Sequence, residues 1–170
     1  RITATDAVCS SSASLPVGYI GAVLEKAVST SPPFSVYQLG TATAGVASAG
    51  YQLCFAHKDS HSFRVGSFQI AGPFAQAVAC TLSETCTVQL SGIGLASTNV
   101  VRILAPGFSC GASIGGVGSF IGLAATTSAA ASSPYSIYAL APVEITGGTS
   151  GAAYVACWAH APAADADFAF

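Results

Sequence analysis

The chain has 170 residues, enough for one or two small domains, and 52% of them are apolar, ample for a core. Its 5 Lys+Arg and 7 Asp+Glu make 7% of the residues, against a usual ~25%, and a net charge of −2 without a basic cluster argues against a nucleic-acid partner. Gly, Ser, Thr or Pro interrupts every apolar stretch before the ~18 residues a spanning helix needs, so no membrane insertion is expected.

In chain order, Val17–Val28 carries a locally helix-friendly stretch, Leu24-Glu25-Lys26-Ala27, ended by Ser29, Thr30 and the prolines that follow. The remaining pattern is all-β. Phe34–Leu39 and Tyr51–Phe55 are short β-branched or aromatic runs between Gly/Ala/Ser/Thr segments. Phe63–Ile70 is stopped by Ala71-Gly72-Pro73, and Cys86–Leu90 alternates inward and outward until Ser91-Gly92. Asn99–Leu104 ends at Ala105-Pro106-Gly107. Short strands with turn signals every ten residues or so imply a sandwich rather than a barrel.

Part of the chain occurs twice. Arg1–Leu39 aligns without a gap on Arg102–Leu140, matching Arg1-Ile2 with Arg102-Ile103, Cys9 with Cys110, and Tyr37 with Tyr138. After a two-residue insertion, Tyr51-Gln52-Leu53-Cys54-Phe55-Ala56-His57 aligns on Tyr154-Val155-Ala156-Cys157-Trp158-Ala159-His160. A unit of ~100 residues encloses its own core, unlike a solenoid turn. The expected division is residues 1–65, an incomplete unit, and 66–170, a complete one with a leading block, Gly66–Val101, that the first copy lacks. The expectation is either an excerpt from a longer tandem array or a unit whose leading strands come from a neighbouring molecule, with any targeting segment outside this sequence.

Six cysteines without a CxxC pair point to disulfides rather than zinc. The repeat prunes the fifteen pairings. Two copies folding alike join Cys9 to Cys54 and Cys110 to Cys157, leaving Cys80 and Cys86 to close a small loop. An oxidising, extracellular location follows.

Phe68-Gln69-Ile70-Ala71-Gly72-Pro73, Thr87-Val88-Gln89-Leu90-Ser91-Gly92-Ile93-Gly94-Leu95 and Asn99-Val100-Val101-Arg102-Ile103 together resemble the opening of an immunoglobulin-like domain of the IPT/TIG type. The resemblance covers roughly Phe68–Cys110; the Cys-aromatic-Ala-His element and the cysteine placement depart from that family. The whole unit also resembles Ala/Gly/Ser-rich tandem repeats in secreted proteins of algae and other protists. What this implies is tandem Ig-like β-sandwich units in extracellular, structural or adhesive use.

Sites of chemistry are sparse. His57 and His160 each follow a cysteine by three residues, but those cysteines belong to the expected disulfides, and the element recurs at matched places as framework does. Each histidine is expected to hydrogen-bond a backbone carbonyl at a strand end. Thr149-Ser150-Gly151 lacks the surroundings of a protease serine. His57, Asp59 and His61 form a metal set with no counterpart in the second copy, and Asp165 with Asp167 falls short of the six to eight oxygens of a calcium site, reading instead as a solvated chain end. Gly111–Gly118 precedes no phosphate-cradling helix. Glu25, Glu84 and Glu144 are scattered. Tyr37, Tyr51, Tyr138, Tyr154 and Trp158 occupy repeat-matched positions and read as core. No catalytic, cofactor or metal residue is assigned, and no enzyme is expected.

A globule of this mass exposes roughly 7,500 Å², so each of the twelve charges serves roughly 600 Å², too sparse for a freely soluble surface. The expected cover is copies of the same protein, or O-linked glycans in Ser10–Ser14, Ser29–Ser31, Thr41–Ser48 or Thr126–Ser133; the only asparagine, Asn99, precedes Val100-Val101 and accepts no N-glycan. The functional expectation is a subunit of an extracellular filament, flagellar hair or surface coat that assembles by strand addition or head-to-tail contacts. The alternative is an adhesive, carbohydrate-binding Ig-like module. Thr3-Ala4-Thr5 and Thr41-Ala42-Thr43 are too few for the flat threonine array of an ice binder.

Overall fold

The computed structural model describes residues 2–3, 9, 32–33, 35–37, 39, 46–57, 60–111, 126–141 and 145–168. Among them the regular structure is β, apart from one 3-10 turn at Asp165–Asp167. The helix expected over Val17–Val28 lies outside the described residues, and the described residues of Phe34–Leu39 show an isolated bridge at Tyr37. The chain divides into two compact units, Arg1–Gly72 and Pro73–Phe170.

Among the described residues the first unit forms an antiparallel sheet in the order β1 (Ile2–Thr3), β2 (Ser48–His57), β3 (Ser60–Ile70). Ile2 lies opposite Leu53 and Thr3 opposite Gln52. On the other side of β2, Tyr51 faces Phe68, Leu53 faces Gly66, and Phe55 faces Phe63, with three register shifts along the ladder. Ile2, Tyr51 and Ile70 form a small core with Leu39, Leu53 and Phe68 against it. The Tyr51 hydroxyl donates to the Val46 carbonyl at 2.7 Å, which lets a polar atom sit beside that core.

β3 crosses the division expected at Gly66. The strand that opens the leading block of the second copy completes the sheet of the first. Only two residues separate β2 from β3, so pairing them closes a short loop and costs little chain entropy, whereas any other partner requires a longer closure.

After β4 (Gly72–Pro73), which spans the division, the described strands of the second unit are β5 (Cys86–Gln89), β6 (Gly92–Ile93), β7 (Asn99–Leu104), β8 (Thr127–Ser128), β9 (Ile137–Ala141) and β10 (Val155–His160). They form sheets β10-β7-β8, β5-β9 and β4-β6. Past β8 the Ala129 N–H donates to the Asn99 carbonyl and the Ala130 N–H to the Ile137 carbonyl, tying the β7 sheet to the β9 sheet. Strand alternation then sorts the side chains. Val88, Leu90, Val101, Ile103, Tyr138, Leu140 and Trp158 meet in one core, each contributing about 1.5–3 kcal/mol by leaving water. The opposite face of the β7–β10 pair forms a second cluster: Leu104, Cys157 and Ala159 packed under Phe168.

The two copies share one pairing register. Ile103 lies opposite Ala156 and Leu104 opposite Val155, and these are the repeat counterparts of Ile2 opposite Leu53 and Thr3 opposite Gln52. The disulfides follow the same equivalence: Cys9–Cys54 spans 5.6 Å between Cα atoms and Cys110–Cys157 spans 5.5 Å. Cys80–Cys86 closes the short third loop. Matched positions also carry the two cis peptides, Pro32–Pro33 and Ser133–Pro134. Three disulfides mark an oxidising, extracellular type of environment. No helix among the described residues is long and apolar enough to cross a membrane.

Cys110–Cys157 closes a loop with a sequence separation of 47, and removing such a link costs about 4 kcal/mol in the chain-entropy account. Replacing both cysteines by Ala is expected to lower the urea midpoint of the second unit accordingly. A loss under about 1 kcal/mol would remove the staple from the account of stability.

Candidate functional site

The repeated Cys-x-Ala-His strand is the natural place to look for chemistry, and both of its cysteines are oxidised, so neither supplies a thiolate. His160 closes the end of β10 opposite Asn99. Its Nδ1 lies 2.9 Å from the Asn99 side-chain Oδ1, an atom that only accepts, so the ring donates from Nδ1. The Thr98 hydroxyl lies 3.4 Å from the same nitrogen. The acceptor is thus a side-chain amide rather than the expected backbone carbonyl. The imidazole fastens β10 to β7 at their shared end. His57, its counterpart, is exposed. Asp59, Glu25, Glu144 and the His61 side chain lie outside the described residues, as does most of Gly111–Gly118. Among the described residues, no three His, Cys, Asp or Glu side chains converge as a metal site.

Asn99, fully buried, also belongs to the inner polar group of the second unit, with Tyr138 and Trp158. Burial pushes the Tyr138 phenol above its ordinary value, and hydrogen bonding toward Trp158 and Asn99 offsets only part of that shift. A neutral phenol held this way anchors a core; it is not poised as a base.

Asp167 is exposed, as a solvated chain end would be, whereas Asp165 is half-buried in an ion pair. Asp165 Oδ1 lies 2.8 Å from Arg102 Nη2, and the Arg102 guanidinium sits 4.1 Å from the Phe168 ring centroid. Asp167 Oδ2 accepts from the Ala163 and Ala164 N–H groups at 2.7 and 2.8 Å. Those two bonds hold its carboxyl below the ordinary Asp range. The segment after β10 therefore folds back over the outer face of β7–β10, with Phe168 as its apolar anchor. Sequence reading missed this because the partner, Arg102, is 63 positions away and Ala-rich surroundings carry no periodic signal.

The remaining feature is a cavity of about 620 Å³ in the second unit. Ile103 and Ala156 of the β7–β10 sheet form one wall and Leu140 of β9 with Ile145 another, while Val78–Leu82 and Gly147–Tyr154 complete it. The Thr149-Ser150-Gly151 turn lies on this rim. There the Thr149 N–H donates to the Tyr154 hydroxyl at 2.9 Å, and Ala152 N–H closes the turn onto the Thr149 carbonyl. The lining is mostly apolar, with backbone groups and the Thr81, Thr149, Ser150 and Tyr154 hydroxyls at its edge and no carboxylate, amine or imidazole. Such a hollow accepts an apolar group; it offers no acid, base or nucleophile triad.

The buried Arg102 is 7% exposed, so losing its carboxylate strands a charge in a low-dielectric site. Asp165→Ala is expected to destabilise the second unit by about 2–3 kcal/mol, and adding Arg102→Met to that variant should recover most of the loss. An additive pair of losses in chemical denaturation would contradict the stranded-charge account.

The raised Tyr138 value fixes a sign as well. Its stabilisation is fully present below the ordinary tyrosine value and is lost as pH climbs through the folded-state value. Phenolate absorbance should show one late-titrating tyrosine that coincides with unfolding and disappears in Tyr138→Phe. Simultaneous ionisation of all tyrosines would contradict this.

Comparison with known proteins gives no match to a family model, a curated protein or a solved structure.

Proposed function

We propose that this protein is a structural building block, made of tandem Ig-like β-sandwich units, of an extracellular filament, flagellar hair or surface coat. The observation that carries this reading is what happens to matched side chains. Tyr138 is 0% exposed and its counterpart Tyr37 is 41%; Trp158 is 8% exposed and its counterpart Phe55 is 41%. Residues that form the core of the second unit lie at the surface of the first. In the second unit β5 pairs with the strand that carries Tyr138 and β7 with the strand that carries Trp158.

An apolar sheet face left open favours association, because covering it recovers roughly 25 cal/mol per Å². Phe63 at 68% and Val65 at 61% exposure extend that face along β3 beside Phe55. With so few charges to keep copies apart, head-to-tail contact between unlike ends propagates rather than closes. Oxidised cysteines suit the outside of a cell. O-linked glycans remain part of this reading as cover for Ser- and Thr-rich surface.

The exposed Phe55/Phe63 pair also suits stacking on a sugar ring, which favours the adhesive module as a second reading. Sedimentation and electron microscopy discriminate the two. The structural reading expects concentration-dependent filaments or chains that Phe55→Ser and Phe63→Ser together reduce at least tenfold. A monomer at high concentration with full amide protection across the first unit, or selective binding on a glycan array by that monomer, would overturn it.

A further inference from the structure

We infer that the Cys80–Cys86 bond is a redox-sensitive catch on one wall of the cavity: a dithiol opens it while the second unit stays folded, and the segment between the two cysteines is released. This goes beyond the proposed function and stands whether or not the chain assembles.

The three disulfides differ in access. Cys80 is exposed, whereas Cys9, Cys54 and Cys157 are buried and Cys110 is half-buried beside the cluster under Phe168. Thiol–disulfide exchange requires a thiolate to reach one sulfur of the bond, and Cys80 gives the most open approach. The bonds also differ in what they hold. Cys9–Cys54 and Cys110–Cys157 span sequence separations of 45 and 47, and Cys80–Cys86 spans 6. Closing so short a loop removes the least chain entropy from the unfolded state, so its loss weakens the unit least. Cys86 lies in the main core with Val88 and Leu140, where a thiol packs as a small apolar group. β5 therefore keeps its pairing with β9 once the bond is gone.

The exchange balances with a dithiol as reductant. One of its thiolates attacks the Cys80 sulfur, the bond to Cys86 breaks, and the departing Cys86 sulfur takes a proton. The second thiol of the reductant then attacks the mixed disulfide, freeing the Cys80 thiol and closing a cyclic disulfide. The protein gains two electrons and two protons, all from the dithiol.

What the bond restrains is a turn with little else to hold it. Thr81 and Leu82 line the cavity together with Val78, Ala79 and Cys80, yet every residue from Thr81 to Thr85 is exposed. Two backbone hydrogen bonds tie the turn to Ile145, on the facing wall. The Ser83 N–H donates to the Ile145 carbonyl at 2.9 Å, and the Ile145 N–H donates to the Glu84 carbonyl at 3.2 Å. Ser83 is held at a φ of 64°, in the left-handed region that disfavours any residue with a Cβ. Closure of the loop, rather than burial or backbone preference, keeps this wall in place.

The test treats the full chain with dithiothreitol at neutral pH without denaturant. Samples are quenched in acid over time, unfolded and alkylated, and the labelled cysteines are mapped by mass spectrometry. Cys80 and Cys86 are expected to become labelled about tenfold or more sooner than the other four. In the chain reduced at that bond alone, hydrogen exchange at the Ser83 and Ile145 amides should quicken by about tenfold or more, while β7 and β10 keep their protection. Cys80→Ser combined with Cys86→Ala should show the same fast exchange at those two amides, with or without the dithiol. Simultaneous reduction of all three bonds would overturn the inference, as would unchanged exchange at Ser83 and Ile145. So would loss of protection across β7 and β10, in the reduced chain or in the double variant, because the bond would then be a staple of the fold and not a catch.

Discussion

Everything in the second unit is hung from one ladder, the pairing of the Ile103-bearing strand with the Cys-x-Ala-His strand. Ile103 opposite Ala156 and Leu104 opposite Val155 set which side chains face which way. A slip of one residue would turn Trp158 and Ile103 out to the surface and bring Arg102 and Cys157 inward. Two devices prevent that slip. The Cys110–Cys157 bond ties the outer face, and His160 bonded to Asn99 pins the end of the ladder. The same register in the first unit, with its own disulfide, makes this ladder the conserved geometric unit of the internal repeat.

Once the ladder is fixed, its two faces have different fates. In the second unit the inner face meets β5 and β9 around Tyr138, and the outer face is closed by Phe168 and the Arg102–Asp165 pair. Arg102 does double service there: its stem covers apolar surface while its guanidinium stacks on Phe168 and bonds Asp165. In the first unit Phe55 and Tyr37 remain at the surface. Identical local pairing therefore yields a core in one copy and an open face in the other, and the difference lies in which strands arrive from elsewhere in the chain.

That distinction explains what could be read from residues alone. Strand periodicity located Cys86–Leu90 because alternate residues there are buried and exposed, one face dry and one wet; Asn99–Leu104, covered on both faces and buried at five of its six positions, was legible instead as a short apolar run stopped by Ala105-Pro106-Gly107. The repeat gave the cysteine pairs because matched positions in alike folds must meet the same partners; the bonds join Cys9 to Cys54, Cys80 to Cys86 and Cys110 to Cys157. The repeat starts its second copy at Gly66 while the compact units part after Gly72, because alignment reports descent of a segment and says nothing about which edge the segment chooses. β3 follows the two-residue connection from β2, not its sequence block. The role of Asp165 was illegible for a related reason: an ion pair between distant residues leaves no local pattern. The Ig-like arrangement itself is not visible in the described strands, which form small sheets of two and three.

The edges of these sheets carry a further constraint. Proteins usually blunt an exposed edge with a charge, a proline or a bulge that turns it away from other strands. β3, the edge of the first sheet, has the exposed Arg64 in its middle and three register shifts against β2. β10 reads Val155-Ala156-Cys157-Trp158-Ala159-His160, with no Lys, Arg, Asp, Glu or Pro, and its ladder to β7 runs without a shift. Charge and irregularity thus sit together on β3, the strand whose outer side the described residues leave open, while β10 is held by an unbroken ladder, the Cys110–Cys157 bond and the His160–Asn99 bond.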